Sequence, residues 1–128
     1  MPTKTYWIDE PTIMSAEFEG KVTSDDLDSV MMNCLRACEN QKVHFVVDMS
    51  SNPSMPANIL KLASLSTLAN HSNAGWFAFV QPNMIVKFAM QVKHRGSFKI
   101  FDTRNEAIAF LHVRIQDEET VTESENAN

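Results

Sequence analysis

Apolar and polar positions along this chain fall into short blocks whose period switches between two and three-to-four residues. That switching separates strands from helices. Lys4 to Ile8 forms a short first strand. Residues 13 to 19 form a clearer one, with Met14, Ala16 and Phe18 alternating against Ser15, Glu17 and Glu19. This alternation predicts one covered and one wet face, as on an edge or one-sided sheet. After Gly20, Thr23 is placed to cap a helix, with Asp26 three residues on standing in for the Glu of a capping box. Along that helix Leu27, Val30, Met31, Cys34, Leu35 and Cys38 keep an i, i+3, i+4, i+7 spacing, and Asn40 is a suitable stop.

Val43 to Met49 reads as a buried strand ending in Asp48. A polar loop, Ser50-Ser51-Asn52-Pro53-Ser54, leads to Pro56, a favoured first helical residue, and a helix running to about Asn70. Trp76 to Val80 is apolar throughout and predicts an interior strand. Pro82 and Asn83 open a third helix to about His94, with Gly96 just past its end. Phe98 to Phe101 is the last strand, and Thr103 with Glu106 opens the last helix. Strands alternating with helices of this length imply mainly parallel strands joined by right-handed crossovers. Binding loops in such sheets gather at the carboxyl ends of the strands. Here those loops are Gly20–Thr23, Asp48–Pro56, Gln81–Asn83 and Asp102–Thr103.

Composition narrows the class. With 128 residues, 44% hydrophobic and 21% charged, the chain fits one globular domain. No apolar run reaches the roughly 18 residues of a membrane span. The first residues lack the basic-then-apolar pattern of a secretory signal, and two cysteines are too few for a disulfide framework, so a cytoplasmic protein is expected. Net charge is −5, yet Asp117, Glu118, Glu119, Glu123 and Glu125 follow Gln116 with no basic residue among them. The body is therefore neutral, which argues against nucleic-acid binding through phosphate neutralisation. The resulting division is a domain over residues 1–116 and an acidic, disordered tail over 117–128.

Candidate chemistry is sparse. Cys34 and Cys38 share a helix face within the apolar stripe and read as buried thiols, since no other His or Cys pair completes a metal site. His44 and Asp48 are four apart on one strand, about 13 Å, so they cannot pair directly. A contact between His71 and the Ser50–Ser54 loop is the one catalytic arrangement left open. No phosphate-binding loop, nucleophile elbow or zinc-protease motif is present. The expectation is a non-enzymatic protein without cofactor or metal. Lys87, Lys93 and Arg95, with His94, Lys99 and Arg104, form a basic-leaning segment that reads either as a solvated helix face or as a site for an anion or an acidic partner, the chain's own acidic tail included. The helix carrying Ile59, Leu60, Leu62, Leu65 and Leu68 is apolar over more than one face, which implies deep burial, a partner or a homodimer contact.

Three segments carry a family resemblance. They are Phe18-Glu19-Gly20-Lys21-Val22-Thr23 with Leu27, then Val46-Val47-Asp48-Met49-Ser50, then Phe101-Asp102-Thr103 followed by Glu106-Ala107-Ile108-Ala109-Phe110-Leu111. Together they resemble the STAS fold family, the sulphate-transporter and anti-sigma-factor-antagonist domains, and within it short SpoIIAA-like bacterial proteins. The resemblance implies an α/β fold: a single mixed, mainly parallel sheet of about five strands wound β-β-α-β-α-β-α-β-α, with helices mainly on one face. Signalling members of that family bind a kinase-like anti-sigma factor and are switched by phosphorylation of a serine within Asp-Ser-Ser-Gly-Leu. A gap-free overlay puts Pro56, Ala57, Asn58, Ile59 and Leu60 there, so only the Leu is kept and the acceptor hydroxyl is missing. The expected partner surface is Ser50, Ser51, Ser54, Met55, Ile59 and Leu60, engaging a kinase-like anti-sigma factor or a second copy without a phosphoserine switch. The alternative is a carrier of a small apolar ligand, with eight methionines and eight phenylalanines available as pocket lining.

Overall fold

A computed structural model describes residues 2–56, 58–59, 63–84, 86–87 and 97–126 of the chain. Five strands, β1 (Thr3–Asp9), β2 (Ile13–Phe18), β3 (Val43–Asp48), β4 (Ala74–Val80) and β5 (Phe98–Phe101), form one sheet in sequential order. β1 pairs antiparallel with β2, and the remaining neighbours are parallel. The helices are α1 (Ser24–Ala37), α2 (Ala63–Ala69) and α3 (Arg104–Asn126). This is the mixed, mainly parallel α/β fold that the alternation and the resemblance imply.

Adding parallel strands in one direction with crossovers of one hand puts the connecting helices on the same face. α1, α2 and the helical turn at Met84, Val86 and Lys87 occupy those connections. Their apolar side chains join Met14, Ala16, Phe18, Phe45, Phe77 and Phe79 in one core cluster. α3 follows the last strand and is free of that rule. It covers the other face, where Ile13, Val46, Ala78 and Val80 meet Ala107 and Leu111. Period-two alternation thus supplies both cores, because each interior strand feeds one face with its odd residues and the other with its even ones.

Local signals act as expected at several ends. Thr23 caps α1 with both bonds of a capping box to Asp26, at 3.1 and 3.0 Å. Thr103 Oγ1 accepts the Glu106 N–H at 3.2 Å. Asn83 Oδ1 accepts the Val86 N–H at 2.9 Å, which starts the turn after β4. The rest of that expected helix, 88–96, lies outside the described residues, as do residues 57 and 60–62 at the start of the helix expected after Pro56.

Two expectations need correcting. β2 is not an edge strand: it lies between β1 and β3, and Ser15 is fully buried because α3 covers the face read as wet. The boundary at Gln116 also fails, since α3 continues to Asn126. A helix already under way adds one hydrogen bond per residue at little further cost. Glu118, beyond the supposed boundary, pairs with Lys42 at 3.2 Å. No described helix is long and apolar enough to cross a membrane.

Gly75, beside the amino end of β3, marks a close approach. A Cβ added there would overlap the imidazole of His44, which packs against the β4 backbone at 3% exposure. Gly75→Ala is expected to lower stability by roughly 1–3 kcal/mol, the usual range for overpacking. Urea denaturation checks this, and the double variant with His44→Ala should recover most of the loss.

Candidate functional site

The carboxyl ends of β2, β3 and β4 share one edge of the sheet, and the chain leaves each through a residue of positive φ. Gly20 (φ 63°), Asn52 (φ 55°) and Gln81 (φ 50°) serve in turn. Glycine and asparagine reach this region readily, whereas glutamine does so against a steric cost. Two bonds hold Gln81 there: its N–H donates to Phe101 O at 3.0 Å and its Nε2 to Asp102 O at 2.8 Å. The loop after β3 is tied to the loop after β2. Ser54 N–H donates to Gly20 O, and Val22 N–H to Ser54 O, both at 2.8 Å. Ser24 Oγ adds a 2.7 Å bond to Asn58 Oδ1.

Beneath this edge lies a polar network that joins four elements. Arg104, the first residue of α3, donates from Nη1 to Ser15 Oγ at 2.9 Å and to Asp48 Oδ2 at 3.4 Å. Its Nη2 donates to the Tyr6 hydroxyl at 2.6 Å, and that hydroxyl donates to Glu17 Oε1 at 2.6 Å. Partial burial and the bond to Glu17 hold the Tyr6 phenol above its ordinary range. Asp48 Oδ1 meanwhile accepts from both the N–H and the Oγ of Ser50, at 2.9 and 2.6 Å. Only the planar guanidinium fork can address these partners at once. Between the β1 start and the two strand ends opens a cleft of about 240 Å³, bordered by Thr3, Lys4, Glu17, Glu19, Asp48, Ser50 and Ser51.

The sequence-derived site residues part company here. Ser50, Ser51 and Ser54 are exposed on the pinned loop, the first two beside the cleft. Met55 and Ile59, expected on a partner surface, are instead core residues at 8% and 4% exposure. The tie from Ser54 to Gly20 and Val22 turns the following residues inward, where the sheet and α1 offer apolar cover. Leu60 lies outside the described residues, as do Lys93 and Arg95 of the expected anion site. Lys87 is exposed. Of the neighbouring cations, Lys99 stands over the rings of Phe101 and Phe110 at 5.7 and 5.1 Å, and Arg104 is held in the network above. His71 sits at the amino end of β4, its Nδ1 accepting from Asn73 N–H at 3.0 Å, and a strand length separates it from Ser50.

Under α1 and α2 the first core leaves a cavity of about 50 Å³, lined by apolar side chains and the Cys34 thiol, with Phe18, Met31, Met55 and Leu65 among them. Burial pushes the Cys34 thiol up to about 12, aided by nearby Cys38, and burial alone carries Cys38 to about 11. Both cysteines are free and buried, as their place in the apolar stripe implies.

The family model described as SpoIIAA-like matches residues 13–112. The chain belongs to the SpoIIAA-like family. Among solved structures it is similar to an uncharacterised protein from Shewanella loihica PV-4 with a SpoIIAA-like fold, at 14% identity and a TM-score of 0.59. That match covers 85% of this chain and 91% of the other. No curated protein matches the chain. At this identity the neighbour speaks for the fold alone. The matched span runs from β2 into the first turns of α3, and so takes in Ser15, Asp48, Ser50 and Arg104.

Tyr6, Ser15 and Glu17 were not singled out as site residues by sequence reasoning, and Arg104 entered it only within the basic-leaning segment. Arg104 carried the usable signal, because a cation at the first position of a helix opposes the helix dipole and needs another reason to be there. Arg104→Leu is expected to cost roughly 1–3 kcal/mol, since it strands Asp48 and Ser15 without their donor. Arg104→Lys should recover less than half of that, because one ammonium cannot span the fork. Chemical denaturation of the three proteins measures both.

Proposed function

We propose that this SpoIIAA-like domain is a non-enzymatic regulatory module that binds a protein partner through the carboxyl edge of its sheet. The loop Ser50–Ser54, with the cleft beside it, is the contact. The observation that carries this reading is a polar surface held in advance. Three exposed serines stand on a loop bonded to Asp48 at one end and to Gly20 and Val22 at the other. A loop ordered before binding gives up little entropy on docking. The family resemblance points to a kinase-like anti-sigma factor as partner, with a second copy of the chain as the other candidate. Contact is constitutive in this reading: the overlay leaves Ala57 at the phospho-acceptor position, and the Ser50 hydroxyl is engaged by Asp48.

One observation favours a second reading. The cavity under α1 and α2 presents an apolar lining without a polar anchor. Its free space of about 50 Å³ falls well below the roughly 300 Å³ of an ordinary ligand pocket. A small apolar ligand would therefore need α2 to move outward.

Two measurements separate these readings. Capture of a partner from the host by the tagged chain should fall at least about tenfold, some 1.4 kcal/mol, in Ser51→Arg, while Lys87→Glu stays at the wild-type level. Equal capture by Ser51→Arg contradicts the docking edge, and stoichiometric phosphate on Ser50, Ser51 or Ser54 contradicts constitutive contact. Native mass spectrometry of the purified chain tests the other reading, with a bound apolar adduct as its expected signature.

A further inference from the structure

The cleft at the carboxyl edge is built with more hydrogen-bond acceptors than donors. Glu17, Glu19 and Asp48 border it, against one ammonium, that of Lys4. Strand register sets this arrangement. Glu17 stands beside Asp48 of β3 in the parallel pairing and opposite Lys4 of β1 in the antiparallel one. Glu19 continues the ladder past the end of β2, its N–H donating to Pro2 O at 2.9 Å. Like charges side by side across two strands are destabilising unless a cation is shared between them.

Only part of this acceptor surface is satisfied within the chain. Arg104 approaches Glu17 Oε1 and Asp48 Oδ2 from the α3 side, at 3.5 and 3.4 Å, and the Tyr6 hydroxyl donates to the same Oε1. Ser50 fills Asp48 Oδ1 with its N–H and its hydroxyl. Among the described residues Glu17 Oε2 and the Glu19 carboxylate have no protein donor. Lys4 is exposed and forms no ion pair with any of the three acids. The group that completes such a site carries donors only and a positive charge.

A metal ion matches the cleft poorly. No three His, Cys, Asp or Glu side chains among the described residues stand close enough together to hold one. A guanidinium is planar and presents its donors as a fork that spans separate carboxylate oxygens. Arg104 already shows this mode, one guanidinium shared by Glu17 and Asp48. The cleft volume of about 240 Å³ leaves room for a second such group, since one water needs only about 10–15 Å³ of this space. Resting on the docking reading above, we propose that the cleft receives an arginine side chain of the partner protein, paired with Glu17 and Glu19. Lys4 is its built-in competitor, because an ammonium opposite Glu17 weakens the field that draws the guanidinium in.

The direct probe is N-acetyl-arginine amide, titrated into the full chain and followed by backbone amide shifts. Shifts at Glu17, Glu19, Ser50 and Ser51 should saturate along one curve. The neutral N-acetyl-citrulline amide, of nearly the same shape, should leave these signals in place. Glu19→Gln should weaken the probe about threefold and Lys4→Gln should tighten it about twofold, the range of exposed ion pairs, while Lys87→Gln changes nothing. No saturation at these residues, equal shifts with the citrulline amide, an unchanged midpoint in Glu19→Gln or a weaker one in Lys4→Gln overturns the arginine site. If Ser51→Arg still abolishes partner capture in that case, the docking edge stands and only its arginine chemistry falls. Full capture by Ser51→Arg removes the edge, and the arginine pairing with it.

Discussion

The position of α3 on β3 depends on a pairing at each end. β3 turns His44, Val46 and Asp48 toward α3, a polar residue at either end of the strand and an apolar one between. Arg104 holds Asp48 at the carboxyl end, and Glu118 approaches His44 and Lys42 at the amino end. Between them Ala107 and Leu111 pack on Val46 and Ala78. Apolar burial drives α3 onto the sheet, but it is non-directional and would tolerate sliding. Charged pairs near both ends set the register, and the Arg104 end also fixes the loop that presents Ser50.

The two faces of the sheet therefore have different characters. The face under α1 and α2 is apolar and keeps a small void. The face under α3 holds the buried polar residues Ser15, His44 and Asp48. Burying such groups is costly unless each is partnered, and each is: Ser15 and Asp48 by Arg104, His44 by Trp76. A face built in this way responds to pH and to charge substitution, while the opposite face responds to changes of volume.

The fold was largely legible in the sequence because periodicity, caps and turn residues agreed. Thr23 with Asp26, Asn83 and Thr103 stand where helices begin, and the strands fall where alternation or apolar runs place them. The failures share one cause. Ser15 and Glu17 resemble a solvated strand face, and the acidic run after Gln116 resembles a solvated tail. In both cases a partner distant in sequence, Arg104 or Lys42, changes the meaning of the pattern. Met55 and Ile59 looked available for a partner because an apolar residue after a polar loop fits a surface contact as well as a core. The inward turn comes from the bonds between Ser54 and the Gly20–Val22 backbone, which no local pattern reveals.

Asp48 links the buried network to the exposed loop, so its removal isolates the central claim that the docking edge is held in advance. Backbone ¹⁵N relaxation of Ser50, Ser51 and Asn52 in the wild type and in Asp48→Ala is the direct measurement. The wild type should show rigid order parameters near about 0.85, and the variant should fall below about 0.6 at these residues while β2 and β4 stay rigid. Unchanged order at Ser50 to Asn52 in a folded Asp48→Ala protein would contradict the claim.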